Sequence, residues 1–390
     1  MWNQVYEKID QLADQMVEDR RYLHQHPELS FEEKETAAFI ANRYDKLGIP
    51  YRKNVGGYGI IGTIQGGKPG KNIALRADFD ALPIQEENDV PYKSKRDGVM
   101  HACGHDGHTA TLLAVAEAVL PFQDELPGTL TLIHQPAEEL EPGGAKPMIE
   151  DGALDGVDVI FGTHLWATTP VHAIESSKSV FMAGADRFEI TIQGRGGHGA
   201  MPHQTKDAIV MAGQAIVELQ QIVSRRIDPL KAAVLTLGEV HAGSTFNVIA
   251  DSARLTGTVR YLDEDVQTQV IEEMHAILKG IALSYGADYE LNYVKGYPPV
   301  INHVEEANYY IEEGTEIPGV KEAYEIIPVM GGEDFSYFLQ ERPGAYFFTG
   351  AKIEGREAYP HHHPKFDIDE RALPIAAKAL LHGYRKAQEK

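Results

Sequence analysis

The sequence has little cysteine, no long apolar run and comparatively few basic residues. Its single cysteine, Cys103, cannot form an internal disulfide, which is typical of proteins from a reducing compartment. Nowhere do about 18 apolar residues follow one another, so we predict no membrane-spanning helix. Acidic residues outnumber basic residues 58 to 36, a formal charge of -22 that disfavours binding to nucleic acid or to an anionic membrane. Residues 1–22 lack the apolar centre of a secretion signal, so we expect a cytoplasmic protein.

The residue types that are present describe a large folded protein. The chain has 390 residues, of which 43% are hydrophobic and 24% are charged, within the range of globular proteins. At about 100 to 200 residues per domain, this length predicts two or three domains and a substantial core. We therefore expect an enzyme-sized protein rather than a disordered or fibrous one.

Strands and helices are predicted to alternate through the first part of the chain. Apolar residues at helical spacing indicate a helix over 3–24 and another over 30–48. They are followed by strands near 59–65, 72–79, 128–135 and 157–165 and by helices near 109–120 and 145–152. After residue 302 come a helix, two strands and a final helix near 372–387. This alternation predicts an α/β fold with a mixed, mostly parallel sheet covered by helices.

The segment 184–296 has a different order of elements, which reads β-α-β-β-α-β. Its two helices, near 205–226 and 265–284, each show one apolar face. This order is that of the ferredoxin-like motif. We therefore predict that residues 1–183 and 297–390 form one domain and that 184–296 is a second domain inserted into it.

The densest group of metal-ligand residue types is HACGHDGH, residues 101–108, in the loop before a predicted helix. Its thiol and imidazoles, above all Cys103 and His105, are donors suited to zinc, manganese or similar ions. Loops at the carboxyl end of sheet strands are also where ligands bind in α/β folds. The alternative interpretation is a helix-capping loop with incidental histidines.

Three further loops at predicted strand ends carry residues of the same kind. Glu138 and Glu139 follow one strand, and adjacent carboxylates there point in different directions, so one is able to bind a metal while the other acts as general base. His164 ends an apolar strand, and YPHHHPKFDIDE at 359–370 supplies three more histidines. Each motif alone also fits a solvated pair of acids or a buried histidine. Convergence of four strand-end loops favours a dinuclear metal site.

A separate cluster lies in the inserted segment. Glycines flank His198 in GRGGHGAMPH, and glycine lets the backbone approach a ligand closely. STFNVIAD at 244–251 and then Arg260 follow. Arg260 is either a surface charge or a fork that binds a substrate carboxylate through two nitrogens. His198 is equally compatible with an exposed hairpin turn.

Ten motifs in this sequence occur in the order that one enzyme family has. They are LHQHPELSFEE (23–33), RADFDALPI (76–84), HACGHDGH, QPAEE, GTHLW, GGHGAMPH, FNVI, GTVR, MGGEDFSYF (330–338) and HHPKFDIDE, and they span nearly the whole chain. Each is weak alone, but their shared order is specific. In them the chain resembles the aminoacylase, hippurate hydrolase and auxin-conjugate hydrolase branch of the dinuclear metallopeptidases related to carboxypeptidase G.

The resemblance implies an enzyme that hydrolyses the amide bond of N-acyl amino acids. It implies a catalytic domain that binds two divalent ions and a smaller lid domain, here 184–296, through which subunits form a homodimer. The residues that match the family's metal ligands are Cys103, His105, Glu139, His164 and His362. Such ions lower the pKa of a bound water and so make hydroxide available near neutral pH.

Further residues match family positions with other roles. Glu138 matches the general base, and His198 matches a lid histidine that helps to stabilise the oxyanion, often across a dimer interface. Asn247 and Arg260 match lid positions that are associated with substrate binding. Asp78 and Asp106 match carboxylates that orient the metal ligands from behind.

The chain departs from the wider family at one motif and leaves a choice at another. The wider family has a His-x-Asp metal motif where this chain has RAD at 76–78, so Arg76 is not assigned to metal. In the HHH run, His362 lies where the family has its ligand, two residues before a proline. Its neighbours His361 and His363 stay alternatives.

Several alternatives remain open within and beyond this family. N-acetyl-diaminopimelate deacetylases, dipeptidases and carboxypeptidases share the fold. Manganese and zinc suit the ligand set, and so do cobalt and nickel. An amidase of another class would use Cys103 as its nucleophile. A noncatalytic metal-binding protein is the third reading, although it would not need Glu138 beside Glu139.

Overall fold

The computed structural model describes residues 1–389, which form two compact units. Unit 1 consists of Met1–Phe181, Val300–Ile327 and the segment that begins at Asp334. Unit 2 consists of Met182–Pro299 and Pro328–Glu333. The predicted boundaries place all of 297–390 in the first domain, whereas the structure places Pro328–Glu333 in unit 2.

Backbone hydrogen bonds explain why this short segment belongs to unit 2. The amide N–H of Ala183 donates to the carbonyl oxygens of Val329 and Gly331, each at 3.0 Å. Met182 also forms a bridge with Val329. These contacts join residues about 150 positions apart, which a reading of local patterns does not detect.

The described residues contain ten α-helices. In chain order they are α1 (Trp2–Gln11), α2 (Ala13–Gln25), α3 (Lys34–Leu47), α4 (His105–Val119), α5 (Ala145–Glu150), α6 (Ala208–Gln221), α7 (Glu264–Tyr285), α8 (Val304–Ile311), α9 (Phe335–Glu341) and α10 (Ala372–Gln388).

The same part of the chain contains sixteen strands. They are β1 (Tyr51–Val55), β2 (Gly59–Gln65), β3 (Lys68–Asp78), β4 (Pro127–Gln135), β5 (Val159–Pro170), β6 (Ala173–Ser176), β7 (Val180–Met182), β8 (Gly184–Gln193), β9 (Gly197–His198), β10 (Ala233–Ala242), β11 (Val248–Ile249), β12 (Ser252–Tyr261), β13 (Asp288–Tyr297), β14 (Val300–Ile301), β15 (Glu322–Glu325) and β16 (Gly344–Lys352).

Unit 1 is built around an eight-stranded sheet with the order β1-β2-β4-β3-β5-β16-β6-β15. The four central strands β4, β3, β5 and β16 run parallel, whereas β1 with β2, β2 with β4 and β16 with β6 are antiparallel. The central strands are apolar runs with most residues buried, as expected for strands covered by helices on both faces. The predicted mixed, mostly parallel α/β fold is confirmed.

Helix α4 positions the first candidate motif. Almost every residue of α4 is buried, and the helix packs against α2, α10 and β3. Gly104, directly before it, has φ +93°, in the left-handed region that favours glycine. This glycine lets the chain turn sharply between Cys103 and His105, so that both side chains lie at the start of a buried helix.

The prediction of one continuous helix over 3–24 is wrong. The structure has two helices that meet at Leu12, whose amide N–H donates to the carbonyl oxygens of both Lys8 and Ile9 at 3.1 Å. Leu12 itself is buried in the core. The apolar spacing continues through the break, so the pattern of residues does not reveal it.

Unit 2 has the predicted ferredoxin-like arrangement. Its four-stranded sheet has the order β10-β12-β8-β13, and all its neighbouring strands are antiparallel. Helices α6 and α7 pack together and contribute to an apolar core of their own. Among the described residues, none of the helices is both long and apolar enough to cross a bilayer.

Candidate metal centre

The parallel strands of unit 1 bring the predicted ligands to one edge of the sheet. β3 ends at Asp78, β4 ends three residues before Glu138, and β5 carries His164. Because these strands run parallel, the three positions lie toward the same carboxyl edge. Cys103 and His105 reach this edge from the start of α4.

Cys103 and His164 form the first pair of donor atoms. The Sγ of Cys103 lies 3.3 Å from Nε2 of His164, and both side chains are buried. Nδ1 of His164 lies 3.1 Å from the carbonyl oxygen of Leu165, to which it donates. Burial lowers the pKa of His164 well below its ordinary value. The imidazole is therefore neutral and directs the lone pair of Nε2 toward the sulfur, as a metal ligand requires.

His105, Glu139 and His362 form a second group of donors. Nε2 of His105 lies 3.8 Å from Oε1 of Glu139, and Nε2 of His362 lies 3.3 Å from Oε2 of the same carboxylate. Although burial lowers the pKa of His105, carboxylates, chiefly Asp78 and Asp80, raise it to about 10. Surroundings that favour a proton on this imidazole also favour a metal cation.

The carboxylate of Asp80 orients two members of this group and was missed in the sequence analysis. Its Oδ1 lies 3.1 Å from Nδ1 of His105, and its Oδ2 accepts from the backbone N–H of Glu139 at 3.0 Å and from Oγ of Ser30 at 2.7 Å. These bonds outweigh the effect of burial, so that the pKa of Asp80 is lowered. A carboxylate behind a ligand histidine fixes its ring and tautomer.

The carboxylate of Asp78 contacts His108 and lies near His105. Its Oδ1 lies 2.5 Å from Nδ1 of His108, and its Oδ2 lies 3.8 Å from Nε2 of His105. Nε2 of His108 accepts from the backbone N–H of Leu165 at 2.9 Å. Because both ring nitrogens of His108 are engaged, we interpret this residue as a support for the ligands rather than as a ligand itself.

Asp106 does not contact a predicted ligand through its side chain, contrary to expectation. Its Oδ2 accepts from Nε of Arg20 at 2.9 Å and lies 2.8 Å from Nδ1 of His24. Successive residues of a helix point in different directions, so the side chain of Asp106 faces α2 while that of His105 faces the other ligands. Asp106 thus anchors the start of the helix instead of orienting a ligand directly.

Glu138 lies beside the ligands on a strained turn. Ala137 before it has φ +53°, which is uncommon for a residue other than glycine, and its N–H donates to Oε1 of Glu33 at 2.8 Å. Burial and the Asp80 carboxylate raise the pKa of Glu33 to about 7. The Glu138 carboxylate is buried and groups with Asp334, not with the His105 group. The two adjacent glutamates therefore face different surroundings.

The geometry separates the roles of His361 and His362. Nε2 of His361 accepts from the backbone N–H of Ala167 at 3.3 Å, which places its proton on Nδ1, 3.8 Å from the sulfur of Cys103. His361 is thus arranged to donate to Cys103. His362 has φ +65°, and its Nε2 faces Glu139. A ring nitrogen of His361 also lies within 4.8 Å of donor atoms of Cys103 and His164, so His361 stays an alternative to His362 as a ligand.

The remaining candidate residues lie in unit 2. His198 on β9 and Val248 on β11 are opposite each other, and the N–H of Gly199 donates to the carbonyl oxygen of Asn247 at 2.9 Å. His198 and Asn247 are exposed. Arg260 lies on β12, where it donates to the hydroxyl of Thr258. The structure thus brings His198 and Asn247 together and places Arg260 on a separate strand of the same unit.

The donors in unit 1 fit divalent cations. Within residues 1–389, Nε2 of His105 and Oε1 of Glu139 are buried and have no hydrogen-bond partner. Buried polar atoms normally have a partner, and such atoms on a histidine and a glutamate are those that a metal ion would satisfy. With the sulfur of Cys103, the donor atoms of these two residues lie within 4.8 Å of one another. A thiolate, imidazoles and a carboxylate suit zinc and its neighbours in the first transition series.

Comparisons with known proteins agree with this chemistry. Residues 74–385 match the family described as peptidase family M20/M25/M40. The protein YhaA of Bacillus subtilis (strain 168) is 53% identical over 378 residues, which cover 97% of this chain and 96% of YhaA. The N-acyl-L-amino acid amidohydrolase of Geobacillus stearothermophilus is 46% identical over 303 residues, 77% of this chain and 82% of that relative.

A solved structure extends the similarity to the fold. The chain is similar to a dinuclear metal-binding peptidase of the M20 family from Bacillus subtilis, with a TM-score of 0.84 and 36% sequence identity. The match covers 97% of this chain and 99% of that protein.

Proposed function

Because the chain belongs to peptidase family M20/M25/M40, as its motifs predicted, we propose that it is a metal-dependent amidohydrolase of N-acyl amino acids. It hydrolyses the amide bond and releases a carboxylate and a free amino acid. The observation that carries this proposal is the pair of adjacent glutamates. Glu139 faces two imidazoles as a ligand would. The Glu138 carboxylate is buried beside that of Asp334, close enough to Cys103 to raise the pKa of its thiol, and is able to act as a base.

The centre would hold two divalent ions, as the M20 peptidase from Bacillus subtilis does. The residues that would bind them are Cys103, His105, Glu139, His164 and His362. When bound, the ions would supply Lewis acidity that polarises the acyl carbonyl and lowers the pKa of a water molecule. We expect manganese or zinc, and cobalt and nickel suit the same donors.

The side chains of this chain then perform the proton transfers. The Glu138 carboxylate accepts a proton from the attacking water and passes it to the nitrogen of the leaving amino acid. Asp80 holds the ring of His105 and the backbone of Glu139, so neither group has to reorganise during the reaction.

We propose that unit 2 supplies the substrate contacts. His198 would donate to the oxyanion, a contribution of about 3 to 4 kcal/mol for a well-placed donor. Asn247 and Arg260 would bind the carboxylate of the amino acid, because a guanidinium matches a carboxylate through two parallel hydrogen bonds. The exposure of His198 and Asn247 supports a role in ligand contact.

Arg260→Lys is expected to raise KM by about tenfold and to change kcat less, because a lysine cannot reproduce the two-nitrogen contact and a charge-assisted hydrogen bond contributes about 1.5 to 3 kcal/mol. Initial rates over a range of substrate concentrations measure both constants. Arg254→Lys, on the same strand but paired with Glu189, is the matched control and should leave both unchanged. An unaltered KM in Arg260→Lys would remove this residue from the substrate site.

We also propose a homodimer formed through unit 2. β10 is an edge strand of the sheet, and its Val234 and Val240 are partly exposed. An edge strand with apolar side chains is a natural surface for pairing with a second copy. Sedimentation velocity tests this proposal, since a dimer has twice the mass of the chain. A cytoplasmic location, expected because residues 1–22 lack the apolar centre of a secretion signal and because the chain has a single cysteine, stays a prediction.

The experiment that tests the function is release of free amino acid from a panel of substrates by protein stripped of metal with a chelator. The panel contains N-acetyl and N-benzoyl amino acids, N-acetyl-diaminopimelate and dipeptides, each with and without added Mn²⁺ or Zn²⁺. We expect cleavage of N-acyl amino acids that returns with the metal. Cleavage of dipeptides alone would make the protein a dipeptidase. Metal binding without cleavage of any member would favour the noncatalytic alternative.

A further inference from the structure

Arg76 is a cation buried in the interior of unit 1. It lies on β3, and only 1% of it is exposed. Its Nη1 donates to Oδ2 of Asp78 at 2.5 Å, its Nη2 donates to Oδ1 of Asp334 at 3.0 Å, and its Nε donates to Oε1 of Gln135 at 2.8 Å. One guanidinium thus holds three side chains from three segments of the chain.

We propose that Arg76 is a positioning residue that fixes Asp78 and Asp334 on two sides of the metal centre. This inference rests on the proposed function. It also assigns a role to the MGGEDFSYF motif, in which Asp334 is the acid that faces Arg76. Arg76 itself makes no contact with substrate in this assignment, and it acts through the carboxylates that it holds.

The Asp78 side of this arrangement leads to the ligands. Asp78 accepts from Arg76 with one oxygen and contacts Nδ1 of His108 with the other. His108 in turn accepts from the backbone N–H of Leu165, directly beside His164. The oxygen that faces Arg76 also lies 3.8 Å from Nε2 of His105. A shift of Asp78 would therefore be transmitted to ligands on two separate elements, α4 and β5.

The Asp334 side leads to the loop that carries the general base. Asp334 accepts from Nε2 of Gln135 through both oxygens, at 2.7 and 2.8 Å, and from the backbone N–H of Ala145 at 2.9 Å. Gln135 is the last residue of β4, three positions before Glu138. A carboxylate oxygen of Asp334 lies within 4.8 Å of one of Glu138. Asp334 thus secures both ends of the turn in which Glu138 lies.

The planar fork of arginine explains why this residue type is needed here. Its nitrogens point in fixed directions in one plane, so it is able to bridge two carboxylates and an amide at once. A lysine would place one compact charge at the end of a flexible chain and would engage fewer of these groups. A neutral side chain would leave Asp78 and Asp334 as buried carboxylates without their shared cation.

The test compares Arg76→Met, Arg76→Lys and Asp334→Asn with the unaltered protein. Zn²⁺ affinity is measured by competition with a chromophoric chelator, and the geometry of the centre is followed by the absorption bands of the Co²⁺-loaded protein. We expect a loss of affinity of about 10- to 100-fold in Arg76→Met, as for other residues that support ligands, and a smaller loss in Arg76→Lys. The Co²⁺ bands should shift in Arg76→Met and Asp334→Asn.

Lys378→Met is the matched control, because Lys378 is also a buried cation of unit 1 but pairs with Asp10. It should keep the Zn²⁺ affinity and the Co²⁺ bands of the unaltered protein even if its melting temperature falls. If Arg76→Met does not fold, Arg76→Lys and Asp334→Asn decide. Folded variants with unchanged affinity and bands would overturn the positioning role. Absence of metal binding in the unaltered protein would instead contradict the proposed function.

Discussion

Glu138→Gln is expected to lower kcat by roughly 10²- to 10⁴-fold, the range for loss of a positioned acid-base group, while metal binding persists. Glutamine has the shape of glutamate but cannot take a proton from water. The carboxylate of Glu138 is grouped with Asp334 rather than with His105 and His362, so its replacement leaves the ligand groups in place. Steady-state rates on an N-acyl amino acid and metal content by elemental analysis measure the two effects.

Glu139→Gln is the matched comparison, because it makes the same chemical change one residue further along. Glu139 lies 3.3 Å from His362 and 3.8 Å from His105, so its replacement should lower metal affinity first. Excess Mn²⁺ or Zn²⁺ should then restore part of the activity of Glu139→Gln and none of that of Glu138→Gln. If the two variants behave in the opposite way, the assignments of base and ligand are exchanged.

The core of the fold was predictable because its strands are buried on both faces. The prediction of a strand over 59–65 agrees with β2, and the predicted helix near 372–387 agrees with α10 to within one residue. β1 was missed because its sequence, YRKNV, is polar and its middle residues are exposed at the edge of the sheet. Residue patterns identify elements that bury an apolar face. They fail for a polar edge strand such as β1, which is held mainly by its backbone hydrogen bonds to β2.

The candidate ligands were predictable for a chemical reason. Few residue types bind transition metals, and a cysteine with histidines at strand ends is a restricted pattern. The supporting residues have no such restriction. Asp80 touches Ser30, His105 and Glu139, which are 25 to 59 positions away from it in the sequence. The second acid in RADFD, just beyond the strand end, was the one available signal.

Cys103→Ser is expected to lower metal affinity by more than the roughly 10- to 100-fold that loss of a supporting residue costs, and kcat/KM with it. A hydroxyl is a poorer ligand than a thiolate for zinc and similar ions. If Cys103 is a ligand, excess Zn²⁺ should restore much of the lost activity, because the general base is still present. Titration of the activity of Cys103→Ser with Zn²⁺ gives the affinity and the extent of rescue together.

The alternative in which Cys103 is the nucleophile makes the opposite prediction. A nucleophilic cysteine needs a thiolate at neutral pH and hence a lowered pKa. Burial raises the pKa of the Cys103 thiol well above its ordinary value, and the carboxylates of Glu139 and Glu138 raise it further. Such a thiol ionises only when a cation is beside it, which is the situation of a metal ligand. Alkylation by iodoacetamide should therefore be slow both before and after metal loading. A Cys103→Ser variant that binds metal fully yet stays inactive would instead establish Cys103 as the nucleophile.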